Sequence, residues 1–255
     1  MAAPALETRD LTVRFGGHVA VDGVSCAFEA GTLTAIVGPN GAGKTTWFNL
    51  ISGQLPATSG RVLLGGRDIS GLPASSRTRL GLGRAFQLTN LFPGLSVREN
   101  VRLAVQARAG AGADLLRRWT HRRDLIDEAE DILEQVRLSG RAGTLAAELP
   151  DGDQRKLEVA LLIALRPRVF MFDEPTAGMS VDEVPTVLSL IQDLRRQGDR
   201  AILLVEHKMD VVRSLADRVV VLHNGALVAD GPPAEVMESA VVREAYLGLE
   251  AALDE

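Results

Sequence analysis

The stretch Gly38-Pro39-Asn40-Gly41-Ala42-Gly43-Lys44-Thr45-Thr46 decides how this chain is read. It fits the pattern GxxxxGK[ST]. The apolar run Thr32-Leu33-Thr34-Ala35-Ile36-Val37 precedes it as a short buried strand, and Thr46-Trp47-Phe48-Asn49-Leu50-Ile51 follows as the start of a helix. That context gives the motif its meaning as a phosphate-binding loop. Glycines let successive backbone N–H groups turn inward and approach phosphate oxygens with no Cβ in the way. The helix behind the loop adds the partial positive charge of its N-terminus. Lys44 is expected to place a full charge on the outer phosphates of a nucleotide, and the Thr45 hydroxyl to ligate Mg²⁺.

Outward from the loop, the 255 residues suffice for a large core, and the 46% apolar and 24% charged content is that of a globular protein. A net charge of −5 argues against sequence-independent binding of nucleic acid, which needs a basic surface. The single cysteine, Cys26, excludes an intrachain disulfide framework and fits a reducing compartment. It falls in a predicted strand and reads as a buried structural thiol. No apolar run approaches the roughly 20 residues of a membrane helix. The longest, from Val159 to Leu165, is stopped by Arg166-Pro167, and Met1 to Glu7 lacks the pattern of a secretory signal.

Before the loop, Leu11 to Phe15 and Val24 to Phe28 alternate apolar and polar residues as half-buried strands do, with Gly16-Gly17 as a turn. Phe15 is either a core aromatic or a stacking surface for a purine. After it, Gly60 to Gly66 and Leu82 to Gln87 read as strands. Ser96 with Glu99 forms a capping box for a helix from Val97 to about Ala107. Residues 108–123 are Gly- and Arg-rich, a solvated connector or a face toward anionic lipid or a partner. Ile126, Ala129, Ile132, Leu133 and Val136 keep helical spacing on the acidic segment that follows. Residues 90–165 thus read as a helical subdomain inserted between strand-rich blocks.

From Val169 the chain alternates apolar strands with helices, and Asn224-Gly225 marks a two-residue hairpin. Alternating strands and helices predict an α/β fold with a mostly parallel sheet, an N-terminal antiparallel region and the inserted helices. Ligands bind such sheets at the carboxyl ends of the strands. Two further strand ends carry suitable groups: Asp173-Glu174 and Glu206-His207. Asp173 is suited to holding Mg²⁺ and Glu174 to acting as general base toward water. His207 is placed to contact a terminal phosphate or orient the water. Gln87 is a candidate neutral ligand for water or metal.

Together these blocks resemble the nucleotide-binding subunits of ABC transporters over nearly the whole chain, which would make 1–255 one P-loop ABC ATPase domain. Gly38 to Thr45 stands at Walker A, Gln87 at the Q-loop, Leu149-Pro150-Asp151-Gly152-Asp153-Gln154 at the signature, and Val169 to Glu174 at Walker B. Ala177-Gly178-Met179-Ser180 stands at the D-loop, His207 at the switch histidine and Phe15 at the base-stacking aromatic. The resemblance implies ATP and Mg²⁺ as ligands, a second ATPase subunit (the same or a different chain), and transmembrane permease subunits met through the region after Gln87. It also implies a peripheral place on the cytoplasmic face of the inner membrane. Phe86-Gln87-Leu88, Leu91-Phe92-Pro93, Val205 to Met209 and Ala245-Tyr246-Leu247-Gly248 are most similar to branched-chain amino-acid importers. Urea, amide and lipopolysaccharide-export relatives share part of this pattern. ABC-type ATPases acting on DNA or ribosomes usually carry paired cassettes or a basic face, and neither is present here. A regulatory module that binds nucleotide without hydrolysis is opposed by the retained carboxylate of Glu174.

Two positions depart from the family pattern. Pro150 stands where the signature serine is usual, flanked by Asp151 and Asp153, and Ser180 stands at a common aspartate of the D-loop. Proline suits a first helical turn but lacks the hydroxyl and N–H that meet a partner's γ-phosphate. These changes lead to the expectation of a heterodimer with unequal ATP sites.

Overall fold

In a computed structural model the protein is described over residues 3–85, 91–110, 123–179, 182, 184–239 and 242. It divides into two compact units. The first comprises residues 1–82, 168–174 and 194–255, and the second 83–167 and 175–193. The segment expected as a helical subdomain, 90–165, lies within the second.

In the first unit, β1 (Leu6–Phe15), β2 (His18–Phe28), β4 (Ser59–Leu64) and β5 (Arg67–Asp68) form an antiparallel sheet in the order β2-β1-β4-β5. A second sheet runs in the order β10-β9-β3-β8-β7, where β3 is Leu33–Val37, β7 Val169–Asp173, β8 Ala201–Val205, β9 Arg218–His223 and β10 Ala226–Gly231. Strands β9, β3, β8 and β7 are parallel, and β10 returns antiparallel through Asn224-Gly225, both with positive φ as a type I′ turn requires. Every residue of β3, β7 and β8 is buried. Ile36, Val220 and Leu222 join the core beneath the antiparallel sheet, while Ala35, Val37, Val219 and Val221 pack on the opposite face. Burial on both faces is why these strands read as continuous apolar runs rather than alternating ones.

The helix α1 (Lys44–Ser52) places Trp47 and Phe48 in the first of these cores, with Trp47 5.8 Å from the ring of Phe28. Its C-terminus is closed by Gly53 in the left-handed region and by Arg77 of α2 (Ala74–Arg79). Arg77 donates Nη1 to the carbonyls of Leu50 and Ile51 at 2.8 and 2.7 Å, Nε to Leu72 and Nη2 to Ser70. A cation there satisfies the orphan carbonyls and the negative end of the helix dipole. Cys26 is buried, and desolvation pushes its thiol up to about 12.

The strand β6 (Leu82–Ala85) carries the chain into the second unit, which holds α3 (Val97–Arg108), α4 (Arg123–Gln135) and α5 (Asp151–Leu165). Val97, Val101 and Val105 of α3, with Leu125, Ala129, Ile132 and Leu133 of α4, supply buried faces at helical spacing. Leu125 takes the core position that the sequence pattern assigned to Ile126, which is only half-buried. Ser96 caps α3 by accepting from the Glu99 N–H at 3.2 Å. The reciprocal half of the expected capping box is replaced, because the Glu99 carboxylate is taken by Arg102. Arg108 grips Glu128 of α4 with two hydrogen bonds and reaches the Ala164 carbonyl of α5, which ties the three helices together. The helix α6 (Val184–Arg196) follows, and α7 (Met209–Leu215) and α8 (Pro233–Glu238) complete the first unit.

Candidate functional site

The loop between β3 and α1 is held by close packing that only glycine permits. A Cβ on Gly38 (φ 150°) would lie 2.1 Å from the Leu222 carbonyl oxygen at the end of β9, and one on Gly43 (φ 96°) 2.5 Å from the Ala20 oxygen of β2. The Gly225 N–H also donates to the Ala42 carbonyl, so the β9–β10 turn, β2 and the loop fix one another. The helix begins at Lys44, earlier than the sequence suggested, with Gly43 in left-handed conformation as its cap. Thr45 and Thr46 therefore sit in the first turn, beside the positive end of the helix dipole.

The Lys44 ammonium lies across this loop, donating to the carbonyls of Gly38 and Pro39 at 2.6 and 2.8 Å. Burial lowers its pKa, and the carboxylates of Glu174 and Asp173 partly oppose that shift. A cavity of about 250 Å³ is lined by the loop from Asn40 to Thr46, by Glu174 and His207, and by His18 and Ala20 of β2. Asp173, 3% exposed, closes β7 behind this surface. Glu174 has φ 50° and donates its N–H to the Val205 carbonyl at 3.0 Å. Its Oε1 lies 2.7 Å from His207 Nε2. Glu206 is buried beside them, and its Oε2 accepts from the backbone N–H groups of His207 and Lys208 at 2.9 and 3.3 Å.

The backbone of the glycine-rich loop, an ammonium group, a carboxylate and an imidazole thus share one cavity. Thr45 and Asp173 add oxygen donors of the hard type that Mg²⁺ takes. Phe15 stands outside the core at 51% exposure, paired with His18 across the β1–β2 turn, so the core alternative for this ring is removed. Gln87 and Ser180 lie outside the described residues. His18 and Ala20 were not anticipated as lining residues. The available signal was their two-residue spacing, which puts them on one face of a strand running past the loop.

Within the second unit, Pro150 is the exposed N-cap of α5, with φ −56° and ψ 155°. Asp151 is exposed, Gly152 is buried, Asp153 accepts from Lys156 Nζ at 2.6 Å, and Gln154 turns back to the Leu149 carbonyl. Phe92 is 57% exposed. Its loop is held by the buried side chain of Asn100, which accepts from the Phe92 N–H and donates to the carbonyls of Phe92 and Ser96.

Residues 21–177 match a family model described as ABC transporter. The chain belongs to the ABC transporter ATPase family. Residues 226–252 further match a model described as the branched-chain amino acid ATP-binding cassette transporter. The chain is 39% identical over 253 residues to the high-affinity branched-chain amino acid transport ATP-binding protein BraF of Pseudomonas aeruginosa, covering 97% of this chain and 99% of that one. It is 37% identical, with the same coverage, to LivG of Escherichia coli, which carries the same description. Among solved structures it is similar to an ABC transporter cassette in its ADP conformation, at TM-score 0.82 and 28% identity over 97% of this chain and 99% of that one. It also resembles cbiO1 of Clostridium perfringens, part of the transporter complex cbiONQ, at TM-score 0.78 and 25% identity over 98% and 97% of the two chains. An ATPase of this family, with a parallel sheet, an antiparallel sheet and helices, is what the sequence led us to expect.

Proposed function

We propose that this chain is the ATP-hydrolysing subunit of an importer of branched-chain amino acids, and that residues 1–255 form one ABC ATPase domain with an inserted helical subdomain. The observation that carries the reading is the single cavity shared by the phosphate loop, Lys44, Glu174 and His207. Its similarity to BraF and LivG supplies the substrate class.

In this reading Gly38 to Thr46 wrap the phosphates, Lys44 meets the outer ones, and Phe15 stacks on the base. Thr45 and Asp173 hold Mg²⁺, joined by Gln87. Mg²⁺ held there would supply positive charge against the outer phosphates. Glu174 accepts the proton of the attacking water, and His207 keeps that water and the terminal phosphate in register. The subunit works peripherally on the cytoplasmic face of the membrane. Exposed Phe92 and Pro93, on the loop that Asn100 holds, dock permease subunits, and no nucleic acid takes part. A different ATPase chain completes the dimer. Its signature serves the site of Lys44 and Glu174, while Pro150 makes the reciprocal site the weaker one.

The test is ATP hydrolysis by the purified chain, alone and with candidate ATPase and permease partners, beside Glu174→Gln and Pro150→Ser. Turnover that rises with partners and disappears in Glu174→Gln is expected. Hydrolysis that needs no partner and survives Glu174→Gln would overturn the assigned roles. Full turnover by the homodimer, unchanged by Pro150→Ser, would overturn the unequal dimer.

A further inference from the structure

We propose that Glu206 is a positioning residue for His207: its buried carboxylate fixes the backbone that aims the imidazole at Glu174. The chain leaves β8 at Val205 and must turn at once to enter α7 at Met209. In that turn the N–H groups of His207 and Lys208 have no strand partner to continue the ladder. Glu206 Oε2 accepts both. Glu206 is 3% exposed, so these bonds act where water screens them little. The His207 side chain, by contrast, is exposed. Its ring meets the Glu174 carboxylate, and the main chain beneath sets where that ring starts from.

The opposite half of the contact is equally fixed. Glu174 donates its N–H to the carbonyl of Val205, the residue before Glu206, and Asp173 lies in register with Val205 across the parallel pair. The ends of β7 and β8 therefore form one frame. On it Glu174 Oε1 and His207 Nε2 meet at 2.7 Å. Among the described residues, Glu206 is the side chain that binds the main chain of His207. A neutral residue that retains a carbonyl oxygen could keep this function, whereas an apolar one would remove the side-chain acceptor that both N–H groups share.

The proposal rests on the reading that His207 serves the terminal phosphate, and the experiment separates the two. The full chain is labelled with ¹⁵N-histidine, which gives four imidazoles, and that of His207 is assigned by its loss in His207→Ala. Without nucleotide, Glu174→Ala is expected to displace the His207 Nε2 resonance. Glu206→Ala should displace it in the same direction, and Glu206→Gln should leave it in place. The signals of His18 and His223 report whether each variant is folded. If Glu206→Ala is not, Glu206→Asp withdraws the carboxylate by one methylene and makes the same test. In single-turnover hydrolysis Glu206→Ala should slow the chemical step about tenfold or more, as misplacement of a reacting group does, with ATP affinity little changed and Gln restoring the rate. A His207 signal unmoved by Glu206→Ala overturns the proposal. So does unchanged hydrolysis in Glu206→Ala where His207→Ala is slow. Normal hydrolysis in His207→Ala overturns instead the role given to His207.

Discussion

Replacing Arg77 with methionine should destabilise the fold far more than its place in a six-residue helix suggests. The guanidinium is 3% exposed and gives four hydrogen bonds of 2.6 to 2.9 Å, all to main-chain carbonyls, two of them on the last turn of α1. Hydrogen bonds from a charged donor contribute about 1.5–3 kcal/mol each net of exchange with water, so one bond's worth is a lower bound and four an upper bound of roughly 6–12 kcal/mol. The four share one buried guanidinium, whose desolvation also lowers its pKa, so they do not add in full and a net contribution of about 3 kcal/mol is expected. For a chain of this size that corresponds to a melting temperature lower by about 6–12 °C. Thermal and urea unfolding of Arg77→Met beside wild type measures it. Arg77→Lys is the informative companion: an ammonium keeps the charge but cannot span carbonyls on two sides, so it should recover part of the loss. If Arg77→Met unfolds within about 0.5 kcal/mol of wild type, as an ordinary surface substitution would, the cap has no energetic weight and the reasoning fails.

Two further expectations follow from perturbed groups. Cys26, with its thiol pushed up to about 12, should resist a thiol reagent at pH 8 in the folded chain and react at once in denaturant; fast labelling of the native protein would contradict its burial. Lys44, whose pKa is lowered by burial, should lose its proton below the ordinary lysine range near 10.4, so nucleotide affinity should fall as pH rises toward that range, by at most about tenfold per unit. Titrating a fluorescent ATP analogue against wild type and Lys44→Met between pH 7 and 10 measures this, since the variant's weak binding should be flat over the same interval.

The parts of this protein legible in its sequence are those whose chemistry is local. The phosphate loop lies within nine consecutive residues, and Asp173-Glu174 and Glu206-His207 each end a run that is apolar because both faces of its strand are buried. What stayed hidden depends on approach between distant segments. Arg77 is 26 residues from the carbonyl of Ile51 that it caps, and no spacing rule joins them. His18 reaches the cavity because Ala20 packs where Gly43 has no side chain. Asn100 reads as an ordinary helix residue, and its grip on the Phe92 loop arises only once α3 has turned back over that loop. Periodicity placed α4 as a helix but missed Leu125 as a core residue, because a helix face is about 100° wide and neighbouring positions compete for its edge.

The adjacent acids at the end of β7 show how one local device gives two like residues different surroundings. In an extended strand consecutive side chains point to opposite faces, so a carboxylate after Asp173 would be carried away from it. Instead the backbone turns at Glu174, at φ 50°, a conformation that costs a non-glycine residue about 1–2 kcal/mol. That strain is offset by the hydrogen bond from its N–H to Val205 and by the contact of its carboxylate with His207. The result is that Asp173 remains buried at the strand end while Glu174 lines the cavity. A buried acid surrounded by the sheet is suited to a fixed electrostatic task, and one at a cavity wall to exchanging a proton with water. Glycine at 174 would relieve the strain and remove the carboxylate. A β-branched residue there would find the turn harder to adopt than glutamate does.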